Sequence, residues 1–195
     1  MMTSVPSQDE LLTSLTSREE ARAEAAALEL ARQGESVLPR LESLLRSKDA
    51  DERWWAIRTL AQMTKPRLEW LVQALDDESA EVRGAAALAL TAHPDPSVTP
   101  ALAGILDDDD SMVRTLAVYA LIAIGKPAVP ILLETFQSSR SRGRIQHMRA
   151  LAEIQDHRAI PLMMKSMDED SAMLHYWAQE GLERLGLNMV YIKPE

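Results

Sequence analysis

Leucine recurs along this chain at fixed offsets from a repeating polar marker. With Arg53 as the marker, the equivalent residues are Arg83, Arg114, Arg144 and His175, spaced by 30, 31, 30 and 31 residues, and 30 residues back lies Ala23. Seven residues after each marker stands a leucine: Leu30, Leu60, Leu90, Leu121, Leu151 and Leu182. Twelve before stand Leu11, Leu41, Leu71, Leu102, Leu132 and Met163; eight before, Leu15, Leu45, Leu75, Leu106, Phe136 and Met167. This spacing is that of one apolar face on each of two helices, A then B, in every unit. A period near 30 residues marks a stacked solenoid, because no unit of that size buries its apolar face alone. The pattern predicts an all-α fold of about twelve helices, a single right-handed superhelical domain.

Local signals agree. Pro39, Pro100, Pro130 and Pro161 are equivalent and suit the first turn of helix A, with Glu69 the exception. Asp49, Ser79, Asp110 and Ser171, four before the marker, are good N-caps for helix B; Arg140 breaks the rule. Asp49 and Glu52 have the spacing of a capping box, and Gly34, Gly125 and Gly186 are placed to end B helices. Ala26, Ala56, Ala86, Ala117 and Ala178, three after the marker, form a small-residue stripe that lets helices approach; His147 interrupts it. The expected organisation is a flexible N-terminus (1–6), six repeats (about 7–34, 35–64, 65–94, 95–125, 126–155 and 156–186) and a C-terminal tail (187–195) that folds back over the last repeat.

The unit V-P-x-L-x-x-x-L followed by D-x-x-V-R-x-x-A-x-x-A-L-x-x-I-G is clearest in Val113-Arg114 through Ile124-Gly125, and in Val129-Pro130 leading to Phe136. It resembles the HEAT-like repeat of the phycobilisome-lyase type, over roughly residues 7–186. The resemblance implies a HEAT-like α-solenoid with A helices on the convex side and B helices on the concave side. It implies little about function, since some members attach or detach bilin chromophores and many others are adaptors. A related group of metal-dependent hydroxylases uses His-Glu pairs. Here His93, His147, His157 and His175 are followed by Pro94, Met148, Arg158 and Tyr176, so that activity is not expected.

Composition narrows the function. The net charge of −9 argues against a nucleic-acid partner, which needs a basic face. The absence of cysteine excludes disulfides and thiolate metal sites or nucleophiles. No apolar run approaches a membrane span, and the start MMTSVPSQDELL lacks the basic-then-apolar layout of a signal peptide. A cytoplasmic protein with no metal, no cofactor and no membrane partner is expected.

Several features are candidate sites. The marker arginines stack one repeat apart; they either bind an anionic partner or pair with loop acids such as Asp76, Asp107 or Asp108. The loop bearing Arg140, Arg142 and Arg144, with Arg149 on the next turn, either clamps a phosphate or acidic tail or neutralises its acidic neighbours. His147 is either a satisfied core histidine or a sign of opened packing. The B-helix residues one, five and eight after each marker point away from the core: Trp54, Arg58, Leu88, Tyr119, Ile122, Ile145, Arg149 and Tyr176 stand out among them. Aromatic residues and arginine are the types enriched at binding hot spots. Alternatively, curvature buries this strip, while Trp55, Trp70 and Trp177 are read as packing residues. The expected function is a non-catalytic protein-interaction scaffold that grips a partner segment in its concave groove. The alternative is a bilin lyase or chromophore-detaching factor, with Arg58 or Arg149 meeting tetrapyrrole propionates and Trp54, Tyr119 or Tyr176 against the rings.

Overall fold

The two-helix unit recurs in space as it does in sequence. A computed structural model describes residues 6–187, so the fold-back expected of the tail beyond Leu187 lies outside the described residues. Among those residues there are twelve α-helices and no strand. The A helices are short: α1 (Gln8–Leu15), α3 (Leu38–Leu45), α5 (Leu68–Ala74), α7 (Thr99–Gly104), α9 (Val129–Thr135) and α11 (Ile160–Ser166). The B helices are longer: α2 (Glu20–Arg32), α4 (Ala50–Ala61), α6 (Ala80–Ala92), α8 (Ser111–Ile124), α10 (Ser141–Ile154) and α12 (Ala172–Arg184). The chain divides into two compact units, Met1–His93 and Pro94–Glu195. In the first, α4 packs between α2 and α6; in the second, α10 packs between α8 and α12.

The leucine register forms the core. All six leucines seven after the marker are buried, as are Leu11, Leu41, Leu71, Leu102, Leu132 and Met163 on the A helices. Of the residues eight before the marker only Leu45 is partly exposed. Each buried leucine contributes about 1.5–3 kcal/mol relative to exposure. Close approach extends to Gly181, three residues after Ala178 of the small stripe. A Cβ on Gly181 would meet Met163 Cε at 2.6 Å and the Ala152 Cα at 3.1 Å, so α12 seats closely against α10 and α11.

Helix ends follow the local chemistry with one correction. Asp49, Ser79, Asp110 and Ser171 each accept a backbone N–H at the start of α4, α6, α8 and α12. The capping box expected at Asp49 and Glu52 is not the arrangement present: Asp49 takes the N–H of Asp51, two residues on. A reciprocal box forms instead at Ser7 and Glu10, opening α1. Gly34, Gly125 and Gly186 all hold positive φ after B helices, while α10 ends on Gln155 in the left-handed conformation, at φ 55° and ψ 54°.

Candidate protein-binding surface

The B helices of each unit present an open stripe, and its composition differs between the two. In the first, Leu88 is 52% exposed and Leu28, at the equivalent position two repeats earlier, is 40% exposed. Trp54 is partly buried and meets Trp55 edge-on at 4.8 Å. Arg58 stands between the two leucines in register, but its charge is already matched. Its Nε donates to Glu24 Oε2 at 3.0 Å and its terminal nitrogen to Oε1 at 2.5 Å, a two-pronged pair across neighbouring B helices.

In the second unit Tyr119 and Tyr176 are exposed (44% and 52%), with Ile122 and Ile145 partly buried. Arg149 lies among them. Its guanidinium carbon is 5.5 Å from the ring centroid of Tyr119 on α8 and 5.5 Å from that of Trp177 on α12, both within cation–π range. Trp177 in turn meets Tyr176 edge-on at 5.1 Å. Arg149 Nε is shielded from solvent and has no hydrogen-bond partner among the described residues. The acids nearest in helical register are engaged elsewhere, since Arg184 holds both Glu153 and Glu180. The stripe is therefore open, aromatic around one cation, and Trp177 belongs to it as well as to the packing.

The sequence profile of HEAT repeats matches residues 68–148. No curated protein matches the chain in sequence. Solved structures do match in fold. One is an engineered protein, target OR366 of the Northeast Structural Genomics Consortium, 22% identical over 93% of this chain and 99% of its own, with a TM-score of 0.56. Another is the complex of CpcE and CpcF of phycocyanin lyase from Nostoc sp. PCC7120, 21% identical over 95% of this chain and 80% of the other, with a TM-score of 0.53. A third is a designed armadillo repeat protein in complex with the peptide (KR)4, 17% identical over 92% of this chain and 100% of its own, with a TM-score of 0.51. Residues 68–148 match HEAT repeats, and the fold of the chain is that of a HEAT-like α-solenoid.

Within the HEAT-like repeats the marker arginines hold the turn between helices A and B. Arg53, Arg83 and Arg114 each donate to the carbonyl six residues upstream, on Ser47, Asp77 and Asp108, at 3.0, 2.8 and 2.5 Å. Arg53, 6% exposed, also forks onto Asp77 of the next repeat, at 2.7 and 2.8 Å, and reaches Glu78. Burial opposes ionisation of Asp77, but Arg53 and the Ser79 N–H outweigh it and hold its carboxyl below the usual range. Acid pairing is thus found at Arg53, with Asp77 and Glu78, and at Arg144, with Glu169. Arg114 instead donates to the backbone of Asp108 and Asp109, because the following loop offers no acid where Asp77 stands.

The arginine loop is engaged with its neighbours. Arg142 reaches Asp109, and Arg144 reaches Glu169 while lying 4.6 Å over the Phe136 ring. Arg140 contributes its backbone N–H to Asp107 Oδ2 at 3.1 Å. Among the described residues no side chain caps the first-turn N–H groups of α10, but an acid from the preceding repeat accepts the N–H of the N-cap residue, the part that the N3 acid plays in a capping box. His147 is fully buried and satisfied. Nδ1 faces the Gly143 carbonyl at 2.9 Å and Nε2 faces the Thr135 hydroxyl at 2.9 Å. Because a carbonyl only accepts, Nδ1 carries the proton. Among the described residues, no single helix is long and apolar enough to cross a membrane.

Proposed function

We propose that this HEAT-like repeat protein is a non-catalytic interaction module that binds a segment of another protein on the open stripe of its B helices. The observation that carries this reading is the exposure of large apolar and aromatic side chains on the B helices of each unit: Leu28 and Leu88 in the first and Tyr119 in the second, all five after a marker, with Tyr176 one after. Large apolar side chains left exposed, where folding would ordinarily bury them, mark interaction surfaces. The structural neighbours support a protein partner in general terms, since CpcE is in complex with CpcF and the designed armadillo protein holds a peptide. The net charge of −9 and the neutralised basic loop favour a protein over nucleic acid. The bilin reading is not favoured. Arg58, one of its two propionate candidates, is spent on Glu24, and likeness at 21% identity speaks to fold alone.

The test is Tyr119→Ala, with wild-type and variant protein immobilised and the proteins retained from native lysate quantified. Loss of a hot-spot aromatic is expected to weaken retention by about 2 kcal/mol, roughly thirtyfold in affinity. Stability should change by less than about 1 kcal/mol, the scale of a surface substitution with one cation–π contact. A variant that mainly unfolds would make the stripe core, and unchanged retention would place the binding surface elsewhere.

A further inference from the structure

The two arginines of the open stripes occupy equivalent positions and have opposite fates. Arg58 and Arg149 each stand five residues after a marker. Arg58 is clasped by Glu24, 34 residues upstream and one residue after the marker position of the preceding repeat. The residue 34 upstream of Arg149 is Thr115, which carries no charge. Glu153 and Glu180 are held by Arg184. Arg149 is therefore a cation whose Nε has no hydrogen bond, and whose side chain has no ion pair, among the described residues. Among the described residues it is steadied by the rings of Tyr119 and Trp177, which bind a guanidinium without using its N–H donors.

Resting on the protein-binding reading above, we propose that Arg149 is the anchor of that surface and takes a carboxylate: a glutamate or aspartate side chain within an extended, otherwise apolar partner segment. The Glu24–Arg58 pair is the pattern for it, with the partner supplying at Arg149 the acid that the chain itself supplies at Arg58. A carboxylate fits better than a phosphate. One guanidinium matches one carboxylate charge in a two-pronged contact, and Arg184, the cation on the adjoining helix α12, is already paired twice. Tyr119, Tyr176, Ile122 and Ile145 would meet the apolar flanks of the segment.

The experiment uses the full chain and three pools of fluorescein-labelled octapeptides, with random apolar flanks around a central Glu, Gln or Arg, read by fluorescence anisotropy. The Glu pool should bind wild-type protein at least about tenfold more tightly than the Gln pool, the scale of one charged hydrogen-bonded contact. Arg149→Met should erase that difference. Thr115→Glu, which installs the acid found at position 24, should erase it too while leaving the fold intact. Equal binding of the Glu and Gln pools to wild type, or a Glu preference that survives Arg149→Met, overturns the anchor. If the two pools bind equally and both weaken in Tyr119→Ala, the surface still binds peptides and only the carboxylate assignment falls. If no pool binds at about 1 mM, the weak end of specific recognition, the anchor falls. The protein-binding reading then falls with it only if lysate retention is also indifferent to Tyr119. Binding of biliverdin, seen as an absorbance change that requires Arg149, without peptide binding, would give the carboxylate to a tetrapyrrole and overturn the proposal as well.

Discussion

The carboxylate of Asp107 occupies the space that a side chain on Gly143 would need. A Cβ built there would lie 2.2 Å from Oδ1, while Oδ2 accepts the N–H of Arg140. The cap of α10 and the glycine inside its first turn are one device. Alanine in a helix is better than glycine by about 0.5–1 kcal/mol when nothing obstructs it. Gly143→Ala should therefore stabilise the Asp107→Ala variant by about that amount. In the wild-type background it should bring no gain, since the cap is lost at a cost of about 1 kcal/mol. Urea midpoints of the four-member cycle measure the coupling, and strictly additive changes would refute it.

The marker arginines should rank by what they hold. Arg53→Ala leaves Asp77, a mostly buried carboxylate, without its fork, and should cost about 2–4 kcal/mol. Arg114→Ala removes donors to two carbonyls and should cost about 1–2 kcal/mol. Arg140→Ala should cost less than about 0.5 kcal/mol, because that residue works through its backbone. Denaturation midpoints in any other order would contradict this ranking.

Burial holds His147 below its ordinary value of 6.5, against the opposing pull of the Gly143 carbonyl and the Asp107 charge. The unfolded chain thus takes up a proton near pH 6.5 that the folded chain refuses. Stability linked to this group is present above that pH and is lost as pH falls below it. His147→Gln should lose less stability than wild type between about pH 8 and about pH 5.5. Identical pH profiles would count against a titrating His147.

Gln155 ends α10 in a left-handed conformation that glycine adopts without steric cost. Its side chain is exposed. Gln155→Gly is expected to raise stability by about 0.5–1 kcal/mol, as a higher thermal midpoint; a lower one would show that the side chain contributes there.

The core is legible in the sequence because a period of 30 or 31 residues repeats each buried position six times, so chance alignment is averaged away. Single-copy features lack that redundancy. Arg140 reads as a missing cap, and only the approach of Asp107, 33 residues away, resolves it. Register points to the stripe, yet Leu28 does not stand out beside Leu30 and the alanines of its helix, although it occupies the same position as Leu88 and Tyr119. Exposed Met112 and Met173, two before their markers, fall outside the offsets of one, five and eight, so register does not single them out. The neutralisation of Arg58 does have a signal: an acid one after the marker, one repeat upstream. It becomes meaningful only when the packing of α2 against α4 is known.

Arg83 and Arg114 both grip carbonyl oxygens, and every amino acid has one. A clasp on side chains would bind each loop to a particular partner residue. A clasp on the main chain leaves the loop free to change its letters while keeping its shape. The turns 76–81 and 107–111 share that clasp, although their residues differ at most positions. Such an edge can be rewritten residue by residue, to repel one neighbour or to attract another, while the helices beneath it stay in register.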